Sequence, residues 1–265
     1  MTRILIPVAF STTARHAVLC VLQLFNQAAV QFFLWNTEAI DSSAPETDRS
    51  VLQKMTEFMK QLQDVVSAGQ ELIPIFSSTF GGQDLEPILK QHQIDLLVLS
   101  HPLQRSIQVF DTEMALKRLV YQVKIPVLIL PQHCSCRPLK QIALLTNYQQ
   151  RHSIQATSQV KRLVEIHEGC LQLIHLSKKH TALSEHQKEN KEFLESALDG
   201  IPIDHQFITA ENPEQALQQH NQGHAIDVLL FFAKNINLSE HYVFPALNNS
   251  TIASAPKVPI LVIHE

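Results

Sequence analysis

Short apolar runs alternate along this chain with segments whose apolar residues recur at helical spacing. The run from Ile4 to Phe10 is largely apolar, which is typical of a strand buried on both faces of a sheet. Ser11 or Thr12 can then cap a helix, whose inner face would carry Ala14, Val18, Leu22 and Phe25. The same pattern predicts further strands over 29–35, 71–80, 95–100, 126–130, 142–146, 170–176, 204–209, 227–232 and 259–263. It predicts further helices over 51–66, 85–92, 111–123, 153–167, 184–198, 212–222 and 245–254, with a polar loop over 41–48.

Two segments of the first half recur in the second half, in the same order and at nearly the same offset. Ile94-Asp95 opens an apolar run, as Ile226-Asp227 does, and runs of aliphatic residues follow Pro126 and Pro259. Such a repeat indicates a duplicated unit, so we predict tandem domains over 1–131 and 139–265 with a linker over 132–138. Strands separated by helices imply parallel βαβ units, and each domain is therefore predicted to be a five-stranded parallel α/β sheet.

The composition fits a globular protein and narrows the classes of function. Of the 265 residues, 45% are hydrophobic and 17% are charged, which allows packed cores. The formal net charge is −4 and the basic residues are scattered, so we predict no nucleic-acid partner. No signal peptide is visible, no apolar run approaches the roughly 18 residues that span a bilayer, and four cysteines do not make a disulfide scaffold. We therefore predict a cytoplasmic protein with no membrane contact.

Four features, in order and largely repeated, give the chain its resemblance to a known family. They are a first strand that runs into a polar helix start, a turn such as Gly81-Gly82 after the third strand, an Ile-Asp before the fourth, and a proline before the fifth. In these features the chain resembles the universal stress protein family in its tandem two-domain form. The resemblance implies Rossmann-like domains, similar to those of the adenine nucleotide alpha hydrolases, with the strand order 3-2-1-4-5. It also implies self-association through the fifth strands, both within the chain and as a homo-oligomer.

The resemblance also indicates where a nucleotide would bind. Many family members look like ATP binders that carry spaced glycines and a final Ser or Thr between the fourth strand and the next helix, because a backbone that wraps phosphates needs exposed N–H groups and no Cβ. In the first half the motif positions fall on Ser100, Leu103, Glu113 and Met114. In the second half they fall on Phe232, Asn235, Pro245 and Ala246, or one residue later on Ala233, Ile236, Ala246 and Leu247. No glycine stands at any of them.

A second requirement of the nucleotide site is also missing. Nucleotide-binding members carry an Asp at the end of the first strand, near the base and ribose, and this chain has Ala9 and Asn147 there. We therefore predict no cofactor and no conventional ATP site in either domain. The alternative is a switch that binds ATP or AMP in an altered crevice of the first domain, where an anion could meet His101 and Arg105. The candidate residues of that crevice are Ser11, Thr12, Gly81, Gly82, Ser100, His101 and Arg105.

The predicted linker contains the residues most suited to a metal or to redox chemistry. Thiolate and imidazole ligands suit zinc or copper, so His133, Cys134 and Cys136 are the candidate ligands. A closed zinc site needs four ligands, and no second Cys/His pair stands at finger-like spacing. We therefore predict no metal site. Two alternatives remain for this segment: a redox-sensitive thiol pair formed by Cys134 and Cys136, or a linker without chemical function. Cys20 and Cys170 lie at apolar positions of a helix and a strand, where we interpret them as structural thiols.

No catalytic residue is predicted. Ser11 and Ser100 stand at carboxyl ends of strands, but neither belongs to a nucleophile-elbow sequence. We therefore predict a non-enzymatic protein with a regulatory or protective role through contacts with an unidentified protein partner. The 14 histidines are scattered, and they lead to the hypothesis that stability depends on pH between about 5 and 8.

Overall fold

The structure is a computed structural model that describes residues 1–26, 28–37, 45–76, 85–101, 120, 122–131, 134, 136–177, 182–209, 220, 226–234 and 258–265, with only the backbone at 13, 45–49 and 101. The chain forms two compact units, Met1–Arg137 and Pro138–Glu265. Among the described residues, no helix has the length and apolar character needed to cross a membrane.

The first unit is a parallel α/β sheet in the order β3-β2-β1-β4-β5. Its strands are β1 (Thr2–Val8), β2 (Val30–Asn36), β3 (Gln70–Ile75), β4 (Leu96–His101) and β5 (Val127–Pro131). Its described helices are α1 (Thr12–Leu24), α2 (Pro45–Lys60) and α3 (Leu85–Gln91). The central strand β1 pairs with β2 on one side and with β4 on the other, so that Leu5 lies opposite both Phe33 and Leu97.

The second unit has the same parallel arrangement, in the order β8-β7-β6-β9-β10. Its strands are β6 (Gln141–Thr146), β7 (Cys170–Ser177), β8 (Ile203–Thr209), β9 (Val228–Phe232) and β10 (Ile260–Ile263). Its described helices are α4 (Ile154–His167) and α5 (Glu185–Ala197). The prediction of an α/β fold with parallel strands is confirmed, and within each unit the strands have the order that the family resemblance implies.

The consecutive apolar residues of the strands form the cores. Every residue of β9 and of β10 is buried, as are four of the five residues of β5. Consecutive burial means that both faces of these strands are covered, because neighbouring side chains point to opposite faces of a sheet. Each buried aliphatic side chain contributes roughly 1.5–3 kcal/mol to folding.

Helix α2 differs from its predicted bounds. The predicted loop over 41–48 is wrong for its last four residues, because the helix begins at Pro45. A proline at the first helical position loses no hydrogen bond, and acidic residue types are common in the first turn of a helix. The helix ends at Lys60, and a short 3-10 turn over Gln63–Val65 replaces its predicted last turn. The predicted helices over 111–123, 212–222 and 245–254 fall almost wholly outside the described residues.

The repeated Ile-Asp has a structural explanation in the aspartate. In the first unit, Asp95 Oδ2 accepts a hydrogen bond from the Arg3 backbone N–H at 2.8 Å, and the Asp95 N–H donates to the Arg3 carbonyl at 2.8 Å. In the second unit, Asp227 Oδ2 accepts from the backbone N–H groups of Lys140 and Gln141 at 2.9 and 2.8 Å. One aspartate before the fourth strand thus anchors the beginning of the first strand in each unit.

We predict that Asp227→Ala destabilises the protein more than Asp95→Ala does. Asp227 is 8% exposed, so its loss leaves two backbone donors without this acceptor at a part-buried site, which costs about 2–3 kcal/mol. Asp95 is exposed and accepts one such bond, so its loss costs about 1 kcal/mol. Free energies of unfolding from denaturant titration, followed by circular dichroism, measure the difference. Asp227→Asn, which retains one acceptor oxygen, should recover part of the loss, and equal costs for the two alanine variants would contradict the explanation.

Candidate functional site

The carboxyl end of the first sheet holds part of the predicted crevice. Ser11 is the N-cap of α1, and its Oγ accepts a hydrogen bond from the Ala14 N–H at 3.1 Å. Thr12 is the first residue of that helix, and Ser100 and His101 end the neighbouring strand β4. The structure therefore places these four residues on adjacent elements. Gly81, Gly82 and Arg105 lie outside the described residues, as does the side chain of His101.

An open cavity of about 200 Å³ adjoins this helix start. Phe10 forms part of its wall, and the Phe10 ring packs edge-on against Phe58 of α2 with centroids 5.9 Å apart. Arg15, Lys54 and Glu57 give the cavity charged groups of both signs. The full lining is Phe10, Ser11, Thr12, Arg15, Lys54, Glu57, Phe58 and Gln61. The sequence analysis did not single out the α2 side of this cavity, because nothing in the spacing of α2 relates it to the start of α1.

An aromatic residue in the left-handed conformation follows the first strand of each unit. Phe10 has φ of 49° and Tyr148 has φ of 54°. This backbone region is uncommon for residues other than glycine, and here it turns the chain from the strand toward the next helix. Phe10 and Tyr148 thus stand at corresponding positions of the two units, which the sequence did not reveal because the two side chains differ.

In the second unit, side chains of the protein occupy the corresponding end of the sheet. Asn147, which stands where the family places an acidic residue, uses its Oδ1 to accept a hydrogen bond from the Gln149 N–H at 3.0 Å. The Asn147 and Tyr148 carbonyls accept hydrogen bonds from Gln187 and Asn190 of α5, at 2.8 and 2.9 Å. Two hydrogen bonds thus connect the loop after β6 to α5.

An aromatic stack lies beside that loop. Tyr148 is 2% exposed, and its ring lies parallel to the His175 ring at 5.2 Å. The Phe207 ring also packs against His175, with ring centroids 5.6 Å apart. Burial raises the pKa of Tyr148, and the charge of Glu195 adds to this effect, so the phenol is neutral at ordinary pH. Burial likewise lowers the pKa of His175.

A buried charged group lies near the carboxyl ends of β9 and β10. His152 Nδ1 is 2.6 Å from Glu265 Oε1, and the other oxygen of Glu265 pairs with Lys234. The His152 ring stacks on Phe232 with centroids 3.8 Å apart. Burial lowers the pKa of His152 although Glu265 opposes the shift. Burial raises the pKa of Glu265, but the bonds from Lys234 and His152 outweigh it, so that pKa is lowered overall.

Three cysteines and a histidine come together in the first unit, and we call them the thiol–imidazole cluster: His16, Cys20, Cys134 and Cys136. Cys20 and Cys136 form a disulfide with Cα atoms 4.7 Å apart. Cys134 Sγ lies 3.7 Å from Cys20 Sγ. The ligand atoms of His16, Cys134 and Cys136 all lie within 4.8 Å of one another.

This cluster corrects one interpretation. The interpretation of Cys20 as a plain structural thiol is wrong, because the structure joins it to Cys136 across 116 positions of sequence. Cys136 is therefore bonded to Cys20 and Cys134 is a free thiol, whereas the third candidate ligand, His133, lies outside the described residues. The signal that the sequence analysis missed is the spacing of His16 and Cys20, which are four residues apart on α1 and share one face of the helix. Cys170 is a free, half-buried thiol whose pKa is raised by burial and by Asp204.

Comparisons with known proteins place the fold. No protein-family model matches the chain, and no curated protein matches it by sequence. Among solved structures, a universal stress protein from Archaeoglobus fulgidus DSM 4304 superposes with a TM-score of 0.68 and 15% identity, over 99% of this chain and 96% of that one. The cytoplasmic domain of a prokaryotic cation chloride cotransporter gives a TM-score of 0.56 and 12% identity, over 98% and 94%. A chain from Pseudomonas aeruginosa UCBPP-PA14, assigned to the universal stress proteins, gives 0.55 and 12%, over 100% and 93%. The chain thus has the universal stress protein fold, and the resemblance seen in the sequence is confirmed at the level of fold.

The buried histidines predict a pH-dependent stability with a definite sign. Burial, helped by the charge of Lys140, lowers the pKa of His167 to about 4, and burial also lowers the pKa values of His152, His175 and His264. The unfolded chain then binds more protons than the folded one at acidic pH. The stability from these groups is complete above an ordinary histidine pKa of about 6.5, and it is lost as the pH falls toward 4.

We therefore expect the melting temperature to fall as the pH is lowered from about 8 to about 5. His167 alone contributes of the order of 2 kcal/mol to the change at the acidic end of that range. His167→Gln, which cannot take up a proton, should flatten the profile, whereas His205→Gln at an exposed position of β8 is the matched control. A melting temperature that is constant over this range would contradict the assignment.

Proposed function

We propose that this chain is a non-catalytic regulatory protein of the universal stress type, which acts in the cytoplasm through protein contacts. In this proposal its two units are tandem domains over 1–131 and 139–265 that serve a stress response. The observation that supports it best is the occupied carboxyl end of the second sheet. There the Gln149 N–H donates to Asn147 Oδ1, and the buried Tyr148 ring stacks on His175, so both side chains already contact other parts of the protein. A protein of the same fold is the cytoplasmic domain of a cation chloride cotransporter, which supports the cytoplasmic location.

The first domain supports the same conclusion by its chemistry. Ala9 provides neither charge nor hydrogen bond where nucleotide-binding relatives carry an acid, and the Ser11 hydroxyl caps α1. The stretch between Gly82 and Gly169 contains no glycine, so a loop that wraps phosphate has no residue suited to positive φ or to close approach. Glu113 would add a negative charge at a phosphate position of the family motif.

The alternative function is a switch that binds ATP or AMP in an altered site of the first domain. The observation that favours it is the cavity beside α1, where Arg15 and Lys54 could meet a phosphate and Phe10 could meet a base. Against it stands Glu57, which lines the same cavity and repels an anion. We place this alternative second, and the nucleotide experiment below decides between the two functions.

Self-association through the fifth strands is the contact that we propose first. Within its unit β5 is the outermost strand beside β4, and β10 is the outermost strand beside β9. An outer strand offers a row of N–H and C=O groups to a partner strand. The buried, aliphatic side chains of residues 127–130 and 260–263 suit such pairing, both within one chain and between two copies.

We predict that ATP with Mg²⁺, or AMP, at millimolar concentration leaves the melting temperature unchanged. A nucleotide present at a hundred times its Kd would stabilise the folded protein by about 2.7 kcal/mol. This would raise the melting temperature by roughly 5–10 °C in a chain of this size. Differential scanning fluorimetry measures the shift. A rise of that size, removed in the Arg15→Gln and Lys54→Gln variants, would establish the switch in place of our proposal.

We also predict that consecutive backbone amides of the fifth strands exchange slowly with solvent. Successive N–H groups of a strand point to opposite sides, so a strand paired on one side alone protects only alternate amides. Residue-resolved hydrogen exchange over 127–130 and 260–263 tests this, and sedimentation equilibrium shows whether the pairing occurs within one chain of 30.0 kDa or between chains. Slow exchange confined to alternate residues would contradict the pairing.

A further inference from the structure

The thiol–imidazole cluster has the ligands of a closed zinc site. His16 and Cys20 are contributed by successive turns of α1, and Cys134 and Cys136 come from the segment after β5. Three sulfurs and one imidazole form a Cys₃His set, which is one of the common structural zinc sites. The second pair of ligands, which the linker lacks, is thus provided by the helix.

The distances within the cluster fit a tetrahedral ion. With zinc–sulfur bonds of about 2.3 Å, two thiolates of a tetrahedral site lie about 3.8 Å apart. Cys20 Sγ and Cys134 Sγ are 3.7 Å apart. The ligand atoms of His16, Cys134 and Cys136 lie within 4.8 Å of one another. After reduction, the Cys20 and Cys136 sulfurs must move apart to about 3.8 Å, and a modest movement of the exposed His16 ring then completes the set.

The surroundings of the cluster favour an ion over free thiolates. Cys20 is fully buried and Cys134 is 6% exposed, while His16 lies at the surface. Buried thiolates need a nearby positive charge, which a divalent cation supplies. The exposed imidazole also provides the side from which an ion can enter. Two sulfurs joined in a disulfide cannot both act as thiolate ligands, so the disulfide and a four-ligand site are mutually exclusive.

We propose that the reduced cluster binds one Zn²⁺ through the thiolates of Cys20, Cys134 and Cys136 and the imidazole of His16, and that formation of the Cys20–Cys136 disulfide releases it. With a hydroperoxide as oxidant, the two thiolates lose two electrons and form the sulfur–sulfur bond. Hydrogen peroxide takes up these electrons and two protons and becomes two molecules of water. Cys134 and His16 then remain as two ligands, which do not retain the ion. This inference concerns the first unit only and does not depend on the proposed regulatory function.

The test uses the full chain after its disulfide has been reduced with a phosphine. The phosphine is oxidised to its oxide with oxygen from water, and the disulfide becomes two thiols. All four cysteines should titrate as free thiols before metal is added. Zn²⁺ should then bind at one ion per chain, and Co²⁺ in its place should give the thiolate charge-transfer band and the intense visible bands of a tetrahedral site. Hydrogen peroxide should release the ion as the disulfide returns, which a metal indicator and thiol titration follow together.

Matched variants assign the ligands. His16→Ala, Cys20→Ser and Cys134→Ser should each weaken zinc binding by about tenfold or more. Replacing a residue that only hydrogen-bonds to a zinc ligand already lowers metal affinity by about that factor, so the loss of a ligand should lower it at least as much. Cys170→Ser in the second unit removes a thiol outside the cluster and should bind zinc as the unaltered chain does. His16 is exposed, so its variant keeps the fold, and circular dichroism verifies this.

Three outcomes would overturn the proposal. The first is a fully reduced chain that binds no zinc, which would leave the cluster as a structural disulfide with a neighbouring thiol. The second is the weak visible spectrum of six-coordinate cobalt. The third is an equal loss of affinity in Cys170→Ser and in the cluster variants.

Discussion

The burial of most residues in the central strands determines where each unit can carry polar chemistry. Side chains such as Leu5, Leu144 and Leu230 are inaccessible to solvent, so polar groups are confined to the strand ends and the helices. At the amino ends of the strands, the aspartate before the fourth strand of each unit hydrogen-bonds to the backbone at the start of the first strand. The opposite end carries the left-handed turns at Phe10 and Tyr148, and it is there that the two units differ.

The difference lies in the side chains that pack against the turn of each unit. In the first unit, Phe10 meets Phe58 and an open, charged cavity remains beside it. In the second unit, Tyr148 is buried against His175, and Asn190 Nδ2 donates a hydrogen bond to the Tyr148 carbonyl. The same left-handed turn therefore lies beside an open cavity in the first unit and beside a buried aromatic stack in the second. The two units share the strand order, whereas the side chains at the turn differ.

The sequence predicted the strands well, because consecutive apolar residues and their flanking polar residues are local signals. The start of α2 was predicted too late, since the polar residues before Val51 resemble a loop although proline and acids are also compatible with a first helical turn. The disulfide could not be predicted, because its two cysteines are 116 positions apart and only the tertiary fold brings α1 beside the end of β5. Likewise, the pairing of His152 with Glu265 joins residues 113 positions apart. Local periodicity contains no information about such contacts, whereas the His16–Cys20 spacing was visible and was not used.

The thiol–imidazole cluster links two elements that matter for the proposed contacts. Cys20 belongs to α1, whose first turn lines the cavity, and Cys134 follows the fifth strand by three residues. A bond across a loop of this length restricts the unfolded chain by about 4.7 kcal/mol in the chain-entropy model. A disulfide provides this restraint directly, and a bound ion would provide it through coordination, because either joins α1 to the segment after β5. Reduction without a metal is then the one state of the cluster in which neither bond restrains that segment. Because the segment continues directly from β5, this state would loosen the end of the strand through which we propose that the protein makes its contacts.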